Sequence, residues 1–96
     1  MLNIFFEWDE NKNRANIQKH GISFDEAMTV FDDDNALYKS DIDHSQDESR
    51  FIILGFSMNL RLLVVCDCYR ESDTVIRIFS ARKATKSESL QYGGEV

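Results

Sequence analysis

Arg77, Arg82 and Lys83 fall within one stretch, TVIRIFSARKATKSESL (residues 74–90), that changes character halfway along. Its first part carries Val75, Ile76, Ile78 and Phe79, β-branched and aromatic residues that favour a strand. A basic corner over residues 80–84 follows. Thr85 and Glu88 then make an S/T-x-x-E capping box that opens a short helix. A strand running through Arg-Lys into a capped helix start gathers cationic side chains and backbone N–H groups in one place. Guanidinium forks match phosphate oxygens two at a time, so a phosphate is the ligand such a corner suits. The same residues also read as a solvated turn with surface cations.

A second set of charges lies on the preceding strands. Alternation along RLLVVCDCY puts Arg61, Leu63, Val65, Asp67 and Tyr69 on one side, and Leu62, Val64, Cys66 and Cys68 on the other. A four-residue connection, SMNL, and a second turn centred on Ser72 would set Arg50, Asp67 and Arg77 in a row across three strands, with Tyr69 beside it. Such a row is either a set of cross-strand ion pairs on a wet face or a reactive surface. An aspartate between two arginines is expected to stay ionised. Cys66 and Cys68 lie at i and i+2, about 7 Å apart on a strand, which is poor geometry for a disulfide. No further cysteine completes a metal site, so both are expected as reduced thiols. The acidic DIDHSQDE (residues 41–48) lacks the glycine and glutamate of a calcium loop, and His44 has no ligand partner at helical spacing. No metal and no cofactor is expected.

Positioning these groups requires the following elements. Residues 4–8, IFFEW, read as a first strand. Asp9 caps a helix over residues 10–20, which Gly21 ends in a left-handed conformation. That helix is very polar, with Ala15 and Ile17 its only interior apolar residues, so it is expected to lie shallowly on the core. His20, in its last turn, reads as a cap. Ser23 and Glu26 open a second helix over residues 24–31, whose Phe24, Ala27, Met28 and Phe31 form one core stripe. A short strand over residues 35–39 precedes three strands of an antiparallel meander, RFIILGF, RLLVVCDCY and VIRIFS. A short helix over residues 86–92 ends at Gly93-Gly94. The fold class is α+β, in the order β-α-α-β-β-β-β-α, with helices against an antiparallel sheet.

The chain of 96 residues is long enough for one small domain, taken as residues 1–96. No apolar run reaches the length of a membrane span, and MLNIFFEWDE has no basic leader, so a cytoplasmic location is expected. The net charge of −6 argues against indiscriminate RNA binding. Its distribution is uneven. Residues 1–50 hold 12 acids against 5 Lys/Arg, and residues 51–96 hold 5 acids against 6 Lys/Arg. A basic patch in the second half is compatible with that balance, and the acidic half suits a basic protein partner.

FEWDENK, KHGISFDEA, DHSQDESR, LLVVCDCYRE and IRIFSARKAT occur in an order and spacing that resemble the BrnT family, over residues 5–92. The resemblance implies a RelE-like sheet and the activity of a ribonuclease toxin of a type II toxin–antitoxin pair. Its exposed face would hold basic residues, among them Arg61, Arg77 and Arg82. Cleavage of single-stranded RNA without a metal needs a deprotonated 2′-hydroxyl, charge stabilisation on the phosphorane and a protonated leaving 5′-oxygen. Under this reading Arg77 and Arg82 hold the scissile phosphate, with Arg50 and Arg61 in support. Lys12, Lys83 and Lys86 meet flanking phosphates, and Asp67 is the candidate base. Many members carry histidine where this chain has Asp67, and Arg where it has Ser89, so the proposed surface is less basic here. The implied partner is an antitoxin with a ribbon-helix-helix domain, through which alone the chain would meet DNA. Two other readings compete: an antitoxin-binding co-repressor that cuts nothing, and a metal-dependent enzyme using residues 41–48.

Overall fold

The computed structural model describes residues 4–41, 49–70 and 74–92. Its elements are β1 (Phe5–Glu7), α1 (Glu10–His20), α2 (Phe24–Met28), a 3-10 turn (Thr29–Asp32), β2 (Leu37–Ser40), β3 (Arg50–Phe56), β4 (Leu62–Arg70), β5 (Val75–Lys83) and α3 (Lys86–Ser89). This is the expected α+β order. The five strands form one sheet in the order β1-β5-β4-β3-β2. β1 runs parallel to β5, and the other pairs are antiparallel.

Local sequence accounts for the helix ends. The Asp9 carboxylate accepts the Asn11 N–H at 2.8 Å. Gly21 stops α1 at φ 72°, its N–H reaching the Ile17 carbonyl at 2.8 Å. Ser23 caps α2 by accepting the Glu26 N–H at 3.1 Å. After Met28 the helix tightens into the 3-10 turn, and Val30 joins Phe24 and Ala27 in the core.

The polar helix α1 is held in an unexpected way. Ala15 and Ile17 face solvent, and the buried residues are Asn13 and Asn16. Asn16 donates to the carbonyls of Ile22 and Ala81, both at 2.8 Å, and accepts the Ala81 N–H at 3.2 Å. It thus replaces a missing strand partner along the part of β5 that extends past β1. Asn13 accepts the Phe24 N–H at 2.8 Å. The helix is docked by amides that satisfy buried backbone groups rather than by an apolar stripe.

One side of the sheet packs against α2 and the 3-10 turn. Ile53, Leu63, Val65, Ile78 and Ala81 meet Ile22, Phe24, Ala27 and Val30 there, all of them at most 1% exposed. Gly55 brings β3 close to the 3-10 turn; a Cβ in its place would lie 2.9 Å from Val30 and 3.0 Å from Ala36. The other side, here called the far face, carries α3.

The strand register differs from the expected one. Arg50 and Arg77 both pair with Cys68, and Asp67 pairs with Phe51 and Ile78. The row Arg50, Asp67, Arg77 therefore does not exist. Two local causes are visible. The β3–β4 connection takes five residues, closing with the Ser57 N–H on the Arg61 carbonyl at 2.9 Å, so Arg61 belongs to the connection and not to the strand. In β5 a bulge shifts the pairing from Cys66 with Ser80 to Asp67 with Ile78, leaving Phe79 as the extra residue. β5 also continues through Ser80, Ala81, Arg82 and Lys83, where the sequence suggested a corner. The second turn at Ser72, the acidic residues 42–48 with His44, and Gly93-Gly94 lie outside the described residues.

Candidate functional site

The register defines three rows across the far face. Arg77, Cys68 and Arg50 form the first, Ser80, Cys66, Ile52 and Lys39 the second, and Arg82, Val64, Leu54 and Leu37 the third. Alternation from Cys68 places Arg70 on this side as well. Arg50, Arg77 and Arg82 are thus carried on one face by two strands, β3 and β5. A cavity of about 430 Å³ lies over the third row, lined by Lys39, Ile52, Leu54, Val64, Arg82 and Glu88 among others.

Each cation has a defined setting. Arg77 donates to Glu7 at 2.9 Å, and Arg70 stands 3.7 Å from the same carboxylate oxygen. Glu7 lies directly beside Arg77 in the parallel pair. Arg82 makes two 2.8 Å hydrogen bonds with the two oxygens of Glu88. This fork fixes its guanidinium plane and leaves other N–H groups for a ligand. The Arg82 bonds, aided by the Thr85 N–H, hold the Glu88 carboxyl down at about 2. Glu88 is therefore a fixed anion at neutral pH and takes up no proton there.

Arg50 reaches across the sheet to lie over the Phe79 ring, 4.0 Å from its centroid, and the Lys12 ammonium comes within 5.6 Å of the same ring. Lys12 comes from the first turns of α1, Arg50 from the start of β3 and Phe79 from the bulge. The sequence reading did not single out Phe79. Its signal was present as a break in alternation: Ile76 and Ile78 take the core side, but the next core residue is Ala81, three positions on.

Arg61, Lys83 and Asp67 lie away from the far face, and Lys86 is carried on α3. Arg61 closes the β3–β4 connection just before β4, where it bonds both oxygens of Glu26 and the Gly21 carbonyl. Ser57 bonds the same carboxylate at 2.6 Å. Chiefly through Arg61, the Glu26 carboxyl is lowered to about 2. Lys83 is exposed and pairs with Leu63, so it leaves from the helix-side face. Lys86 is exposed at the start of α3, and the N–H groups of Thr85 and Glu88 are used by the capping box, so this helix start offers no anion cradle.

Asp67 requires a correction. It is 1% exposed on the helix-side face, and neither of its carboxylate oxygens has a hydrogen-bond partner. Burial raises its pKa to about 7, so it is not the permanently ionised group expected between two arginines. Its proton affinity suits a general base, but its position denies contact with anything bound on the far face.

A family model described as the ribonuclease toxin BrnT of a type II toxin–antitoxin system matches residues 8–88. Among solved structures, the Brucella abortus ribonuclease toxin BrnT, determined at 1.1 Å, is 22% identical and superposes with a TM-score of 0.63. The match covers 90% of this chain and 100% of that one, and shows the shared fold. No curated protein matches the chain. The chain belongs to the BrnT family of ribonuclease toxins, and a type II toxin has an antitoxin as its partner.

Proposed function

We propose that this BrnT-family toxin is a metal-independent endoribonuclease that cleaves single-stranded RNA, including mRNA, on the far face of its sheet, and so acts in the cytoplasm. The observation that carries this reading is the gathering of Arg50, Arg77 and Arg82 on one face, two of them oriented by the carboxylates Glu7 and Glu88. Arg77 and Arg82 bind the scissile phosphate and stabilise the phosphorane, where a guanidinium's preorganised charge counts most. Arg50 supports them, Lys12 and Lys86 meet flanking phosphates, and Lys83 attracts the chain from the edge of the sheet. Arg61 acts indirectly, by fixing the hairpin to α2.

The 2′-hydroxyl oxygen attacks phosphorus as its proton passes to solvent. The bond to the 5′-oxygen breaks and that oxygen takes a proton from solvent, leaving a 2′,3′-cyclic phosphate and a 5′-hydroxyl. Asp67 is given no step, because it does not reach the face. The antitoxin, a ribbon-helix-helix protein in this reading, covers the arginines with acids and accounts for any contact with DNA.

A second reading, an antitoxin-binding co-repressor without cleavage, has one observation in its favour: Asp67, the candidate base, is buried on the side of the sheet away from the arginines. Incubation of purified protein with single-stranded RNA in excess EDTA separates the two. Cleavage leaving cyclic phosphate ends supports the enzyme. Intact RNA together with retained antitoxin binding supports the co-repressor, and cleavage only with added divalent metal refutes the metal-free mechanism.

A further inference from the structure

Phe79 is half-buried, lies in the middle of the basic face, and is the one residue of β5 that the bulge leaves without a partner on β4. A bulge interrupts ladder hydrogen bonds and re-aims a side chain, and such features recur beside binding sites. Two cations from separate elements converge on the ring, Arg50 at 4.0 Å and Lys12 at 5.6 Å from its centroid. As a stabilising device this is weak, since cation–π pairs at exposed sites contribute little and the two cations repel each other. An aromatic ring with a guanidinium over it, beside further cations, is a combination that takes up single-stranded nucleic acid. Bases stack on the flat groups while phosphates meet the charges.

We infer that Phe79 and Arg50 form a stacking platform for one unpaired nucleobase of the substrate RNA, with Lys12 on the adjoining phosphate. The inference rests on the reading of this face as the RNA site and adds the subsite that positions the strand. At 4.0 Å the Arg50 guanidinium carbon is at van der Waals distance from the ring, so the two groups are already in contact before a base joins them. Stacking accepts any base, so this subsite fixes where the strand lies and leaves its sequence open. A duplex, whose bases are already stacked, gains nothing from it.

The test is binding of a short 2′-O-methyl RNA oligonucleotide, which cannot be cleaved, followed by fluorescence anisotropy. Each position is replaced in turn by an abasic nucleotide. Phe79→Leu is expected to weaken binding roughly 5- to 150-fold, the range for loss of one stacked base, while Phe79→Tyr binds like the parent. One abasic position is expected to weaken binding to the parent and to have no effect on Phe79→Leu. Arg50→Lys keeps the charge, loses the plane, and is expected to lose the same abasic sensitivity, which covers the case in which Phe79→Leu fails to fold. If the parent binds the oligonucleotide and the abasic penalties in the variants equal those in the parent, the platform is refuted while the face remains an RNA site. If the parent does not bind RNA at all, the functional reading fails and the platform with it.

Discussion

Asp67 pairs with Phe51 and Ile78 and is sealed from water, with both carboxylate oxygens unpartnered. Its pKa rises from 3.8 to about 7 through burial. Between those values the folded chain holds a proton that the unfolded chain has released. Stability therefore falls as pH rises from about 4 to about 7 and is flat above. Three pKa units correspond to about 4 kcal/mol as an upper bound. Asp67→Asn, similar in shape and uncharged, should recover up to that amount above pH 7 and nothing below about pH 4. Denaturant melts at both pH values check this, and equal gains at both would show that ionisation is not the cause. Histidine, which many family members carry at this position, titrates near neutrality and would act as a base only if position 67 reached the arginines. Because position 67 faces the helix side, Asp67→His should cleave single-stranded RNA at pH 7 no faster than the parent. A clear gain in rate would place the position at the reacting centre.

Among the elements, the β3–β4 connection shows what the sequence revealed and what it hid. Both strands were legible from their β-branched runs, as were the caps Asp9, Gly21, Ser23 and Thr85, because each depends on a side chain and its immediate backbone. The length of the connection was not legible. It is set by Arg61 turning back to Glu26, 35 residues earlier in the chain. One residue of added length moved Arg50 from Asp67 to Cys68 and changed the composition of the site. The docking of α1 was hidden for a similar reason, since Asn16 finds its partners 65 residues away at Ala81. The Glu26 carboxyl, 7% exposed and lowered from 4.5 to about 2, contributes stability that is present above pH 4.5 and lost as pH falls towards 2. Arg61→Ala should lower the melting temperature at pH 7 and remove most of this acid sensitivity. Any loss of RNA cleavage should then track the loss of folded protein. A variant that melts like the parent yet has lost cleavage would return Arg61 to the reacting site.

Among the described residues, cations cluster, with Glu7 and Glu88 set between them. A chain of net charge −6 gathers Lys12, Lys39, Arg50, Arg70, Arg77 and Arg82 along or beside one sheet face. None of the helices among the described residues is long and apolar enough to cross a membrane. Single-stranded RNA bound through Lys12, Arg50, Arg77 and Arg82 should release counterions, with affinity falling against salt at a log–log slope of about −3. A slope near zero in a titration from low to physiological salt would mean that these cations do not meet phosphates.

Under the proposed function the far-face arginines perform the reaction. The direct measurement is the cleavage rate of single-stranded RNA in EDTA by the parent, Arg77→Ala and Arg82→Ala, with circular dichroism and melting curves showing that all three are folded. Removing one charged contact to the phosphorane costs about 3 kcal/mol, so each variant should be at least about a hundredfold slower. Folded variants that cleave as fast as the parent would contradict the claim.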